Sequence, residues 1–178
     1  MAKILIAEDD ALSQKFVATV VDRMGHSAFV SPNGSHAWEA ICADPALIPN
    51  AVEELLRIDP SVNSWRRKAL ADVDIGGVRV PAGANLLVLI ASANHDPEVF
   101  PDPESLDIHR ANAKEHIAFG YGAHICLGAP LARLEVKVVL EEVSARLPGL
   151  RIVPGQKLDY LPNTSFRGPR ALRVEWGE

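Results

Sequence analysis

The sequence predicts a mixed α+β fold built from two unlike segments, and three observations carry that reading. Residues 3–24 run from a short apolar stretch through acids into a helical pattern. Residues 64–90 are short apolar runs broken by glycine and proline. Residues 129–146 form a long amphipathic stretch behind a glycine-punctuated cysteine loop. The first is the opening of a parallel α/β sheet, the second reads as small antiparallel ribbons, and the third as one helix.

In chain order, Lys3-Ile4-Leu5-Ile6-Ala7 is a buried-type strand closed by Glu8, Asp9 and Asp10. Leu12, Phe16, Val17, Val20, Val21 and Met24 recur at helical spacing up to Gly25. Ser27 to Val30 is a second strand, the turn Pro32-Asn33-Gly34 comes next, and another helix begins near Ser35. Acids at a strand end suit a hard cation such as Mg²⁺, although two carboxylates are only part of its shell. Three acids ahead of a helix also complement its dipole, so both roles stay open for Glu8 and Asp9. This β-α-β-α unit resembles the receiver domain of two-component response regulators, whose paired acids bind magnesium, and Glu8 and Asp9 match that pair in their spacing to Gly25. The receiver pattern is incomplete. No third strand ending in a phosphoacceptor Asp is present, and the chain passes at Cys42-Ala43-Asp44-Pro45 into a different pattern. Phosphotransfer is expected to be absent.

In Ala51 to Arg57 a helix places Glu54 and Arg57 three apart on one face. If exposed, such a pair contributes only about 0.2–0.5 kcal/mol. Between Ser64 and Gly83 short strands alternate with turn residues, and Gly76-Gly77 is a strong hairpin signal. Arg66, Arg67 and Lys68 form a basic cluster there. Leu86 to Ile90 is a run of buried type, and the proline-rich stretch from Pro97 to Pro103 is an irregular meander of the kind that scaffolds function.

The decapeptide from Phe119 to Gly128 sets Cys126 among Gly120, Gly122 and Gly128 and opens onto the helix at 129–146. These glycines let the backbone take positive φ and approach a flat ligand closely. The helix directs its first amide groups at the sulfur and favours a thiolate, the form that binds metal. A free cysteine also serves commonly as a small buried hydrophobe. Apolar residues at 131, 134, 138, 143 and 147 oppose Arg133, Glu135, Lys137 and Glu141, so the first set is expected to pack and the second to meet solvent. Pro148-Gly149 ends the helix, and Leu150 to Val153 and Ala171 to Trp176 read as closing strands.

Phe119, Gly120, Gly122, His124, Cys126 and Gly128 together resemble the signature F-G-x-G-x-H-x-C-x-G of the cytochromes P-450, the haem-thiolate monooxygenases. The resemblance continues through Ala129 to Arg133, and Glu54 with Arg57 looks like that family's E-x-x-R pair. Residues 44–177 thus resemble the C-terminal, haem-binding third of a bacterial-type member, a fold of helices plus small β-sheets. The resemblance implies haem b, with Cys126 on the iron and Arg67 and His124 at the propionates. For Arg67 a solvated basic cluster remains the other reading. In the family a further arginine often completes the E-x-x-R network; Pro103-Glu104-Ser105-Leu106 has serine at its usual place, with Arg110 or His109 as substitutes. A ferredoxin-type redox partner is implied on the face near Arg133 and Lys137. No match is found to the family's distal-helix motif, an acid or amide followed by Thr, so the haem site is expected to be catalytically incomplete. Substrate choice cannot be read from these residues.

The two resemblances suggest a chimera of natural or artificial origin, with segments 1–43 and 44–178. The competing expectations are a non-catalytic hybrid that binds no cofactor and a receiver-type signalling fragment without its phosphoacceptor. A net charge of −5 over 178 residues argues against nonspecific nucleic-acid binding. No apolar run reaches membrane-spanning length, and Met1-Ala2-Lys3 does not open a secretory signal, which gives a cytoplasmic expectation. Cys42 and Cys126 lie in different segments, so no disulfide framework is expected. The open edges of the N-terminal strands are a route to a homodimer.

Overall fold

A computed structural model of the chain describes residues 3–6, 27–30, 34–160 and 162–177. Strand β1 (Lys3–Ile6) pairs in parallel with β2 (Ser27–Val30), from Lys3 opposite Ser27 to Ile6 opposite Val30. The helix expected at 12–24 and the acids Glu8, Asp9 and Asp10 lie outside the described residues. Helix α1 (Gly34–Ala43) starts where a helix near Ser35 is expected.

After α1, the Asp44 carboxylate accepts the Ala46 amide at 3.1 Å and caps a 3₁₀ turn, Pro45–Leu47. Proline in the first turn of α2 (Ile48–Ile58) removes only an amide that has no helical partner. Ala37, Ala40 and Ile41 of α1 meet Ile48, Ala51 and Val52 of α2 and Ile108 of the meander, with Val136 and Leu140 packed against them. The Trp38 ring nitrogen donates to the Pro148 carbonyl at 3.0 Å. One apolar core is therefore shared by residues on both sides of position 43.

Strand β3 (Ser64–Lys68) runs antiparallel to β6 (Asn85–Leu89), and β4 (Val73–Ile75) forms a hairpin with β5 (Val78–Val80). Gly76 and Gly77 take φ of 58° and 79°, the paired positive angles that a tight hairpin turn requires. Helix α3 (Ile90–Ala93) is a single turn, and residues 97–112 hold no helix or strand. Helix α4 (Ala129–Arg146) crosses α2, and β7 (Arg151–Ile152) pairs with β8 (Val174–Glu175), shorter than the strands expected there.

Two burial expectations are corrected. In Leu86 to Ile90 only Ile90 is buried; Leu89, for example, is 54% exposed. Strand β6 belongs to a two-stranded sheet with β3 alone, so no described layer covers its faces. On α4 the stripe at 131, 134 and 138 is exposed, while Ala129, Val136, Leu140 and Ser144 turn toward the interior. The helix has two apolar faces, and periodicity alone cannot choose between them.

Candidate functional site

Glu54 is fully buried on α2, and its carboxylate receives Arg57 in a forked contact, Nε to Oε2 at 2.7 Å and Nη2 to Oε1 at 2.8 Å. The other Arg57 protons go to carbonyls, Nη1 to Asn94 and Pro103 and Nη2 to Ser105. Those five contacts match the five donors of a guanidinium. Arg110 supplies the second arginine, its Nε 3.1 Å from Glu54 Oε1, and it also donates to the carbonyls of Pro101, Asp102 and Ser105. Of the two substitutes for the arginine that Ser105 replaces, Arg110 reaches Glu54; the His109 amide donates to Asp107 instead. The Asp107 amide donates to Glu54 Oε1 at 2.9 Å, while burial pushes the Asp107 carboxyl up. A meander without secondary structure thus has its buried carbonyls satisfied by two arginines that one carboxylate neutralises. The pair is far from an exposed helix contact, and losing Glu54 would strand both cations.

The neighbouring acid, Glu53, forms a second network that the sequence reading missed. Its oxygens accept from Arg133 Nε at 2.8 and 3.1 Å, and Oε2 lies 3.1 Å from His116 Nε2. Burial pushes the Glu53 carboxyl up, but Arg133 and His116 outweigh it and hold it below the usual range. Burial pushes the His116 imidazole down, and the charges of Arg133 and Arg57 add to that against the pull of Glu53. The Arg133 guanidinium also lies 4.7 Å from the centre of the Phe119 ring. Arg133, expected on the solvent face, therefore points inward and ties α4 to α2. A polar residue at the start of a helix gives little local sign of such a partner eighty positions away; the one available signal is Glu53 itself, a second acid set beside apolar neighbours.

Around the cysteine, Gly120 and Gly122 take φ of 77° and 78° as expected. Gly128 does not: its φ is −80°, ordinary for any residue, and a Cβ there would sit 3.7 Å from Cys126 Sγ. Its value is room beside the sulfur rather than backbone freedom. The Cys126 amide donates to the Phe119 carbonyl at 2.9 Å, and the Ile125 amide to that of Gly122 at 3.1 Å, which closes the loop. Cys126 is exposed and borders a cavity of about 800 Å³. Arg67, His124, Phe119 and Gly120 line the same cavity, with Trp65 and Phe166 among its apolar walls. Glu54 and Arg57 lie outside it as scaffold, and Gly122 and Gly128 shape the loop without lining it. Arg67 Nη1 donates to the Arg66 carbonyl at 2.9 Å.

No group of three or more His, Cys, Asp or Glu among the described residues could hold a metal ion. Lys137, the other cation expected to meet a partner, stands 3.6 Å from Glu141 and half-exposed. No described helix is long and apolar enough to cross a membrane.

The family model described as Cytochrome P450 matches residues 43–145. Cytochrome P450 105A3 of Streptomyces carbophilus is 45% identical over 139 residues, which cover 77% of this chain and 34% of that protein. Cytochrome P450 monooxygenase PikC of Streptomyces venezuelae is 44% identical over 161 residues, covering 89% of this chain and 38% of its own length. That share is larger than residues 44–178 alone can supply. A solved intact type IV self-sufficient cytochrome P450 monooxygenase superposes with a TM-score of 0.77 at 56% identity, over 79% of this chain and 18% of that one. The chain spans about a third of the length of the curated relatives it matches. Nothing in these comparisons supports a receiver unit at the N-terminus.

Proposed function

The chain belongs to the cytochrome P450 family, and from that premise we propose that it is the thiolate-bearing part of a haem-dependent, monooxygenase-type oxidoreductase. Members of the family bind haem b. The observation that carries the proposal is one cavity bordered by an exposed cysteine on a glycine-bent loop, with Arg67 and His124 on the same lining. The residues fit the group. The volume of about 800 Å³ is of ligand size, aromatic walls suit a flat ring, and the single soft donor needs a metal already held in a macrocycle.

In this reading Cys126 would hold the haem iron through its thiolate, and Arg67 and His124 would hold the propionates through charge-assisted hydrogen bonds. Gly120 adds no side chain to the cavity lining, and Phe119 holds the cysteine loop through its carbonyl while its ring packs against Arg133. When bound, haem supplies a redox-active iron whose thiolate ligand favours O–O cleavage. The chain's own part is to orient the sulfur, fix its loop against α2 and α4, and keep apolar walls around the ring. Proton delivery is assigned to no residue of this sequence, since none matches the distal acid-or-amide and Thr motif. Peroxidase-like oxidation rather than coupled monooxygenation is therefore the activity proposed for the chain alone. A ferredoxin-type partner is proposed on the exposed side of α4, with Lys137 as its cation because Arg133 is engaged inward.

Titration with haemin followed by absorbance tests the reading. Saturation at one haem per chain, with weaker binding in Arg67→Ala and an altered spectrum in Cys126→Ala, is expected; absence of saturable binding overturns it. That second outcome favours a cofactor-free hybrid, a reading supported by the bare apolar faces of β6 and α4. A receiver-like reading of the N-terminus rests on the parallel pairing of β1 and β2, an arrangement common to parallel α/β units in general. Signalling through Glu8 and Asp9 would show as labelling by acetyl phosphate, and none is expected.

A further inference from the structure

We propose that His116 is a positioning residue for the Cys126 loop, acting as a neutral ring that donates to Glu53 from Nε2 and accepts the Ala118 amide at Nδ1. The geometry fixes the tautomer. The Ala118 amide can only donate, and it lies 3.1 Å from Nδ1, so that nitrogen is bare. The ring proton then sits on Nε2, 3.1 Å from the Glu53 carboxylate.

The segment directly after His116 links its ring to the cysteine. Residues 116–119 hold no helix or strand, and they are pinned by hydrogen bonds at successive positions. The Ile117 amide donates to Asn94 Oδ1 at 2.8 Å, the Ala118 amide to His116, and the Ile117 carbonyl accepts the Gly120 amide at 2.8 Å. The next carbonyl to act, that of Phe119, carries the Cys126 amide at 2.9 Å. The Phe119 ring lies 6.1 Å from His116 and 4.7 Å from the Arg133 guanidinium, centre to centre or centre to carbon. Arg133 is held by the same Glu53 that holds His116. Glu53 of α2, His116 and Arg133 of α4 thus close around Phe119, and the cysteine amide hangs from that residue.

The groups facing His116 are Glu53 and Arg57 from α2 and Arg133 from α4, whereas Lys114 and Glu115, on its own turn, are exposed. Two arginines and burial oppose a second proton, and one carboxylate favours it. Such a proton on Nδ1 would face the Ala118 N–H, donor against donor. That amide would lose its acceptor, the 117–119 segment would loosen, and the Cys126 amide would lose its fixed carbonyl. All of these contacts lie within the polypeptide and need no bound group, so the role of His116 stands apart from the haem assignment.

The test uses the chain without haem, labelled with ¹⁵N. Expected are ring-nitrogen shifts of the Nε2–H tautomer for His116 at neutral pH, and amide resonances of Ala118 and Cys126 that move on acidification with one shared midpoint. His116→Gln, which can both accept and donate, is expected to keep the neutral-pH position of the Cys126 amide and to lose that midpoint. His116→Phe is expected to displace both amides at every pH. An Nδ1–H tautomer, or a Cys126 amide indifferent to His116 protonation in the unmutated chain, overturns the proposal even if the Phe variant does not fold. In the haemin-loaded chain a thiolate-type Soret band is expected to fade with the same midpoint. Failure of the band to form bears on the haem reading, whereas a band with an unrelated midpoint counts against His116.

Discussion

Glu54 and Cys126 sit in opposite kinds of surroundings. Around Glu54 the protein satisfies itself: the carboxylate is wholly buried, every Arg57 donor has an acceptor, and Arg110 ties down the meander. Around Cys126 the protein is open. The sulfur borders a cavity, Leu127 beside it is 98% exposed, and Leu131, Leu134 and Val138 continue the bare stripe along α4. The closed half serves as scaffold, and the open half is the one proposed above to hold a ligand. Internal partners fix the geometry on one side, and the other side presents an exposed cysteine and an exposed apolar stripe.

Perturbing the closed half is the strongest way to break that contrast. Glu54→Ala leaves two buried arginines without their anion and should destabilise the chain by about 3–5 kcal/mol, read as a lowered urea midpoint; a loss under about 1 kcal/mol would put the pair in the class of surface contacts. Arg133→Ala removes the main partner of Glu53 and the cation over Phe119, at an expected cost of about 1–3 kcal/mol. Arg133→Lys should recover little, because an ammonium cannot reproduce the Nε contact or the stacked geometry.

Acid sharpens the comparison without mutation. His116 is held below its ordinary value, so below about pH 6.5 the unfolded chain binds more protons and stability falls as pH drops toward the folded value. Glu53, also held low, adds a further loss as pH falls below about 4.3. Urea midpoints measured from about pH 7.5 down to about pH 2.5, past both unfolded values, should decline in that order, and Glu53→Gln should flatten the lower step. The smallest effect is expected at the open half: Cys126→Ala should change stability by no more than about 0.5 kcal/mol, since its side chain is exposed. A larger loss would mean that the cysteine is part of the scaffold.

Local features of the fold were legible where local chemistry determines them. Gly76-Gly77 forms its hairpin, α4 begins and ends at Ala129 and Arg146, and the first two strands run parallel as the strand-helix-strand pattern implies. Long-range choices were not legible. The apolar run Leu86 to Ile90 is a strand with bare faces, because burial depends on layers that its own residues do not encode. The same holds for α4, whose stripe at 131, 134 and 138 looks more apolar than the face that carries Arg133, Val136 and Leu140 inward. Glu54 and Arg57 could be paired from spacing, but Arg110 joins them from 56 positions away. Glu53, His116 and Arg133 meet only in the folded chain. At the N-terminus the strands are as expected, while the family match begins at residue 43 and α1 shares the core of α2 and α4.

The open half is proposed to be a cysteinate site for haem. The most direct measurement adds haemin to the purified chain, reduces it under carbon monoxide, and records the Soret band beside a Cys126→Ala variant. A strongly red-shifted band that the variant lacks is expected. No band, or the same band in both proteins, would contradict it.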